Sequence, residues 1–129
     1  ALVDLDKAIR LDSTDENAYS NRALVFYYTN RFPEAINDVD RYLRIRPGDP
    51  DMHNLRALAY RQNNQFDKAL EDFNMAIALN GNQGAFFQNR SFLHFAMGNN
   101  EAAYKDIIRA QQLGITADPG YLARVSPKQ

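Results

Sequence analysis

Four arginines and four aspartates recur along the chain at a constant interval of 34 residues. The arginines are Arg22, Arg56, Arg90 and Arg124, and the aspartates are Asp4, Asp38, Asp72 and Asp106. Four guanidinium groups could bind anions. However, an aspartate accompanies each arginine at constant spacing, which favours partly buried ion pairs that fix the angle between structural units. The spacing therefore indicates a structural role for both series.

Two pairings of these charges are compatible with the spacing. Arg22 could pair with Asp38, later in the same unit, or with Asp4, which precedes it across the joint between units. The sequence does not decide between them. We favour the pairing across the joint, because it also gives Arg124 a partner in Asp106.

The chain has no combination of residues typical of catalysis. It contains no cysteine, and neither His53 nor His94 has a second ligand at metal-binding spacing. Both histidines occupy positions where sister units have aromatic residues, so we expect them to pack in the interior. A glycine-rich phosphate loop and a Ser-His-acid arrangement are also missing. We therefore predict a non-enzymatic domain that needs no metal or cofactor.

Composition limits the class of protein. The chain has 129 residues, of which 45% are hydrophobic, and carries 15 Lys and Arg against 16 Asp and Glu. One domain of this size can bury a sufficient core without disulfides. A net charge of −1 gives no electrostatic reason to expect nucleic-acid binding, and no apolar run approaches the roughly 18 residues of a membrane span. We expect a soluble domain, favour the cytoplasm over export, and interpret the chain as a piece of a longer protein.

The same interval extends to the apolar positions. Three such series are Ala1, Ala35, Ala69 and Ala103; Leu5, Val39, Phe73 and Ile107; and Tyr19, His53, Phe87 and Tyr121. Each whole unit contains two helical patterns, separated by Asn30, Asn64 or Gly98, residue types that end helices in a left-handed conformation. Asp49-Pro50 and Asp118-Pro119 are typical helix starts, and Pro33 fits a first turn.

The repeats divide the chain into five segments. We predict the second helix of a partial repeat over 1–15, whole repeats over 16–49, 50–83 and 84–117, and the start of a further or capping helix over 118–129. A helix pair cannot cover its own apolar face, so neighbouring pairs must stack.

This pattern resembles the tetratricopeptide repeat family, whose units are helix-turn-helix pairs of about 34 residues. The matching positions are Tyr19, Ala23, Phe26, Ala35, Val39 and Tyr42; His53, Ala57, Tyr60, Ala69, Phe73 and Ala76; and Phe87, Ser91, His94, Ala103, Ile107 and Ala110. The resemblance implies an all-α, right-handed α-solenoid of antiparallel helix pairs with a concave side. Tyr42 replaces a small residue, so we expect looser or shifted packing there.

The first helix of each repeat is expected to line the concave side. A turn of about 100° per residue, counted from Ala23 as the core direction, predicts which residues face it. The candidate groove residues are Asn21, Leu24, Tyr27, Asn54, Leu58, Arg61, Asn89, Phe92 and Phe95. The same rotation includes Leu55. Leu24, Leu58 and Phe92 form an apolar row that either contacts a partner or packs against adjacent helices.

Some tetratricopeptide arrays bind the acidic C-terminal tail of chaperones through a two-carboxylate clamp. The strings AYSNRA around Asn21 and FFQNRS around Asn89 are similar to its central helix. The clamp also needs a Lys and an Arg on the following helix, where this chain has Asp51 and Leu55 after Asn21. An aspartate would repel a carboxylate, so we predict that this clamp is absent. Asn21 and Asn89 remain candidates for binding a peptide backbone.

The resemblance implies a protein-protein interaction module that binds a segment of a protein or peptide partner in the concave groove. One alternative is an assembly scaffold, since Leu2, Leu5, Ile9 and Leu11 could drive end-to-end self-association. Another is a regulatory module attached to an enzyme domain outside this chain.

Overall fold

The computed structural model describes residues 2–12 and 14–127, which form eight α-helices. They are α1 (Leu2–Leu11), α2 (Glu16–Tyr28), α3 (Phe32–Ile45), α4 (Pro50–Gln62), α5 (Phe66–Leu79), α6 (Gly84–Ala96), α7 (Asn100–Gln112) and α8 (Pro119–Val125). Successive helices pack against each other along the whole array. The chain is an all-α, right-handed solenoid of antiparallel helix pairs. Ala1, the first member of the alanine series, lies outside the described residues.

Local sequence signals set the helix ends. The side chains of Asp49 and Asp118 accept hydrogen bonds from the first backbone amides of α4 and α8, and a proline follows each of them in the first turn. Asp15 caps α2 in the same way. Pro33 lies in the first turn of α3. These contacts confirm the predicted helix starts.

The turns inside the three pairs share one backbone conformation. Asn30, Asn64 and Gly98 have φ values of 63°, 60° and 80°, so each adopts the left-handed region expected from its residue type. This conformation lets the second helix of each pair fold back antiparallel to the first.

Small residues occupy the closest approach within each pair. Ala23 on α2 and Ala35 on α3 are fully buried, as are their counterparts in the second repeat. Ser91 replaces alanine on α6, and its buried hydroxyl donates to the Ala103 carbonyl at 2.6 Å. Val39, Phe73 and Ile107 fill the core between the pairs.

The expectation of looser packing at Tyr42 is wrong. Tyr42 is 7% exposed and belongs to a buried cluster with Tyr19 and Leu43. Its hydroxyl donates to Asp49 Oδ2 at 2.6 Å, and this hydrogen bond, together with burial, raises the pKa of the phenol to about 12. A tyrosine fits here because the cap of α4 provides an acceptor for its polar end.

The order of contacts identifies the inner side of the solenoid. Helix α4 contacts both α2 and α6, whereas among the described residues the second helices α3, α5 and α7 have no comparable contacts with one another. The first helices are therefore closer together than the second helices. They line the concave face.

Candidate functional site

Each of the arginines Arg22, Arg56 and Arg90 binds the aspartate of its own helix pair. Arg22 donates through Nε and Nη2 to Asp38 at 2.7 and 2.6 Å. Arg56 binds Asp72 at 2.7 Å through the same two nitrogens, and Arg90 binds Asp106 at 2.7 and 2.8 Å. These forked contacts to buried carboxylates satisfy both partners.

The preference for pairing Asp4 with Arg22 across the joint is therefore wrong. The bond across the joint uses the third guanidinium nitrogen and a different residue of the preceding unit. Arg22 Nη1 donates to Asp6 at 2.9 Å, Arg56 Nη1 to Asp40 at 2.7 Å, and Arg90 Nη1 to Asn74 at 2.9 Å. Asp6, Asp40 and Asn74 are themselves separated by the repeat interval, which was a readable signal.

Arg124 does not pair with Asp106. Both oxygens of Asp106 bind Arg90, and Arg124 is exposed beside Tyr104 and Lys105. The residue that corresponds to Asn74 in the joint before Arg124 is Ile108, which cannot accept a hydrogen bond through its side chain. The repeating arginine network therefore has three members among the described residues.

The two histidines belong to this network. His53 is 8% exposed, with Nδ1 3.2 Å from Asp72 Oδ1 and Nε2 3.0 Å from the Pro47 carbonyl oxygen. His94 Nε2 lies 3.7 Å from Asp106 Oδ2. Burial lowers the pKa of His94, and the charge of Asp106 partly offsets that effect. Among the described residues, no group of three or more His, Asp or Glu side chains could hold a metal ion.

The candidate groove residues differ in exposure. Leu24 on α2 and Phe95 on α6 are 39% and 36% exposed, and Asn21 is also exposed. Leu58 is only partly buried and packs against the cluster around Phe73. The apolar row is thus open at α2 and better covered at α4.

Leu55 is not on the concave face. It is 7% exposed and packs with Tyr19, Tyr42 and Met52 between the first two pairs. Its neighbour Asn54 contacts the first helix of the next pair, where Asn89 Nδ2 donates to Asn54 Oδ1 at 3.1 Å. The side-chain amides of these two candidate residues are therefore in contact, and their hydrogen bond uses the nitrogen of Asn89 and the oxygen of Asn54.

Tyr121 of α8 covers the end of the groove, which sequence reasoning missed. Its ring lies edge-on to Phe92 and Phe95, with centroid distances of 4.9 and 5.5 Å. Its hydroxyl is 2.7 Å from Ser91 Oγ. The sequence analysis only placed Tyr121 in a repeat series, and a serine in place of the alanine on α6 was the available signal for its partner.

Arg61 lies between the two ends of this face. Burial raises the pKa of Tyr27 and of Tyr121, and the positive charge of Arg61 partly offsets the rise in both. Its guanidinium is therefore within electrostatic range of a phenol on α2 and another on α8. Within the described part of the chain, Arg61 forms no ion pair. Among the described residues it is therefore a cation without an acidic partner, within electrostatic range of two phenols.

Comparison with known proteins supports the repeat assignment. Residues 20–83 match the tetratricopeptide repeat family. No curated protein sequence matches the chain. The fold is similar to that of MamA 41-end from Desulfovibrio magneticus RS-1, with 19% identity and a TM-score of 0.84 over 87% of this chain and 63% of that one.

Two further solved structures are similar. Another crystal structure of MamA has 12% identity and a TM-score of 0.88, over 96% of this chain and 74% of that one. The first TPR of Spaghetti (RPAP3), bound to the HSP90 peptide SRMEEVD, has 25% identity and a TM-score of 0.81 over 88% of this chain and 92% of that one. None of the helices within residues 2–12 and 14–127 combines the length and apolar character needed to cross a bilayer.

Proposed function

Because this chain is a tetratricopeptide repeat protein by sequence and by fold, we propose that it is a non-catalytic interaction module whose concave face binds an extended or helical segment of a partner protein. A solved neighbour of the same fold holds a peptide, which supports the proposal by analogy. The match covers 63% of the first MamA chain compared above.

The observation that carries the proposal is the state of Arg61. The three repeating arginines each bind an aspartate in forked geometry, whereas Arg61 has no ion pair among the described residues. Leu24 and Phe95, which helix periodicity assigns to the same face as Arg61, are both exposed. A cation flanked by exposed apolar side chains matches a partner segment that carries a carboxylate next to apolar residues.

The amides on this face suit a peptide backbone. Asn54 and Asn89 bond to each other through one oxygen and one nitrogen, so the Asn54 nitrogen and the Asn89 oxygen stay available. Asn21 is exposed on the adjacent helix and offers both groups. An extended segment could exchange backbone hydrogen bonds with these amides while its side chains contact Leu24, Arg61 and Phe95.

The test is selection from a random peptide library, followed by fluorescence anisotropy of each selected peptide. We expect Arg61→Glu to weaken binding at least tenfold. Arg109→Glu is the matched control, since Arg109 is exposed on the second helix α7. Equal binding by both variants, or a library that gives no binder to the folded wild type, would contradict the proposed groove. Circular dichroism establishes that both variants are folded.

The assembly-scaffold alternative has its own test. Helix α1 exposes Val3 and Leu11, which are 76% and 78% exposed. A mass that rises with concentration in sedimentation, and that Val3→Lys with Leu11→Lys returns to the monomer value, would favour self-association. A constant monomer mass would argue against it.

A further inference from the structure

A cleft on the opposite edge of the first whole repeat has a different chemistry from the concave face. It has a volume of about 180 Å³ and is lined by Thr14, Tyr19, Arg41, Arg44 and Ile45. The cleft lies between the start of α2 and the end of α3. Arg41 and Arg44 are one helical turn apart on α3, so their side chains lie on neighbouring positions of one helix surface.

Tyr19 brings a phenol side chain to the lining of this cleft. The residue is 3% exposed, and no described residue forms a hydrogen bond with its phenol. Among the described residues, no side-chain oxygen or nitrogen is both fully buried and without a partner. The Tyr19 hydroxyl is therefore not fully buried, and Tyr19 is one of the residues that line the cleft.

The equivalent positions in the other repeats do not offer such a group. His53 uses both ring nitrogens, one towards Asp72 and one towards the Pro47 carbonyl. Phe87 has no polar atom in its side chain. Nearby Tyr42 donates to Asp49. At this repeat position, among the described residues, an unbonded phenol is thus found in the first whole repeat and not in the next two.

The two arginines are also unneutralised. Neither Arg41 nor Arg44 forms an ion pair within residues 2–12 and 14–127, whereas Arg46 binds Glu16 at 3.0 Å. Asp12, two positions before the lining residue Thr14, accepts from the Thr14 amide and hydroxyl at 3.0 and 2.6 Å. The donors that remain for a ligand are two guanidinium groups and one phenol.

Sister repeats lack this pair of arginines. The positions of Arg41 and Arg44 are Met75 and Ala78 in the second repeat, and Arg109 and Gln112 in the third. Arg109 donates to Gln112 at 3.1 Å, so the third repeat occupies its arginine internally. The cleft of the first whole repeat combines free cations with a free phenol.

We propose that this cleft is a binding site for a tetrahedral oxyanion, a phosphate ion or the phosphoryl group of a larger ligand. Guanidinium groups bind phosphate oxygens through paired N–H donors, and the phenol adds a donor from another helix. Donors from two helices suit an anion that accepts from several directions. At about 180 Å³ the cleft is smaller than the roughly 300–1,000 Å³ of pockets that enclose whole small molecules.

The test is a titration with inorganic phosphate at constant ionic strength, followed by NMR of the backbone amides and the arginine Nε–Hε groups. We expect saturable shifts at Tyr19, Arg41 and Arg44, and none of comparable size with acetate. Arg41→Gln with Arg44→Gln should abolish saturation. Tyr19→Phe should weaken phosphate binding about threefold to tenfold and keeps the buried ring, and Arg109→Gln should leave it unchanged.

Several results would overturn the proposal. They are the absence of saturation with the wild type, equal shifts with acetate and phosphate, or unchanged affinity after Arg41→Gln with Arg44→Gln. A phosphoserine peptide in a glycine-serine background distinguishes the sources of the anion. Tighter binding of the peptide than of inorganic phosphate supports a phosphorylated partner, whereas equal binding supports the free ion.

Discussion

Helix α4 carries two arginines that differ in their ion pairing. Arg56 donates to Asp72 at 2.7 Å through two nitrogens and to Asp40 at 2.7 Å through the third. Arg61, further along the same helix and about 140° away around it, has no ion pair in the described part of the chain. On one side of the helix the arginine is neutralised by aspartates, and on the other side no described acidic residue pairs with the arginine.

The difference lies in the opposing residues and not in the arginines. Arg56 faces a buried aspartate on α5 and a second one on α3, and both carboxylates find their partner inside the fold. Arg61 lies within electrostatic range of Tyr27 and Tyr121, whose neutral phenols provide no compensating charge. No acidic side chain of the described residues forms an ion pair with Arg61, and this difference from Arg56 is the reason for proposing Arg61 as a binding residue.

The matched substitutions Arg56→Gln and Arg61→Gln should have the largest contrast in stability. Arg56→Gln leaves the Asp72 side chain, 6% exposed, without its guanidinium partner. Breaking one partner of a buried ion pair costs about 3–5 kcal/mol, so we expect a loss of that order. Arg61→Gln should change the free energy of unfolding by less than about 0.5 kcal/mol.

Urea denaturation followed by circular dichroism measures both values. A similar loss of unfolding free energy in the two variants would show that Arg61 also stabilises the fold. That result would contradict the proposed difference between the two arginines. An unchanged stability for Arg56→Gln would instead mean that His53, 3.2 Å from Asp72, is enough to neutralise this carboxylate.

Two glycines give a second contrast. Gly84 lies in a filled joint, where neighbouring atoms leave no room for a side chain, and Gly48 lies at an open edge. A Cβ atom at Gly84 would lie 2.6 Å from Ile115 Cγ1 and 3.3 Å from the Ala110 carbonyl oxygen, whereas at Gly48 it would meet nothing within 4 Å. We expect Gly84→Ala to destabilise the domain by about 1–3 kcal/mol. Gly48→Ala should be neutral or slightly stabilising. Thermal unfolding compares them, and equal midpoints would contradict the filled joint.

The period of the sequence was sufficient to predict most of the fold. Spacing predicted the helix pairs, because small residues at Ala23 and Ala35 and caps at Asp49 and Asp118 act locally. The choice of ion-pair partner was not local. It depends on where the third guanidinium nitrogen points once the pairs are stacked, and this selected Asp6 over Asp4.

The concave face was harder to predict for a similar reason. Counting about 100° per residue separates the faces of one helix but does not show what the next pair covers. Leu55 is buried by residues of the preceding pair, and Tyr121 covers Phe92 from another helix. Exposure therefore depends on the stacking geometry, which the pattern of one repeat does not contain.

The residues that bind the arginines across the joints between repeats offer a test with a smaller expected effect. Asp6, Asp40 and Asn74 accept from successive arginines, so the last joint has an amide where the others have a carboxylate. Asn74→Asp should stabilise the domain by up to about 1 kcal/mol, since this position is exposed and surface ion pairs contribute little. Asp40→Asn is the reciprocal control and should cost a similar amount. Opposite signs for the two changes in urea denaturation are the expected outcome, and a loss on Asn74→Asp would contradict it.

The smallest expected effect is the contribution of His94 to the pH dependence of stability. His94 lies beside Asp106, the aspartate that binds Arg90. Burial lowers the pKa of His94 below its ordinary value of 6.5, so the unfolded chain takes up a proton at a higher pH than the folded chain does. Stability from this group is thus complete above pH 6.5 and is lost as the pH falls through the lowered pKa. His94→Phe, which introduces the residue found at Phe26, should flatten the decline in unfolding free energy between about pH 7 and 5. An identical slope in wild type and variant would mean that Asp106, 3.7 Å away, compensates the burial of the ring completely.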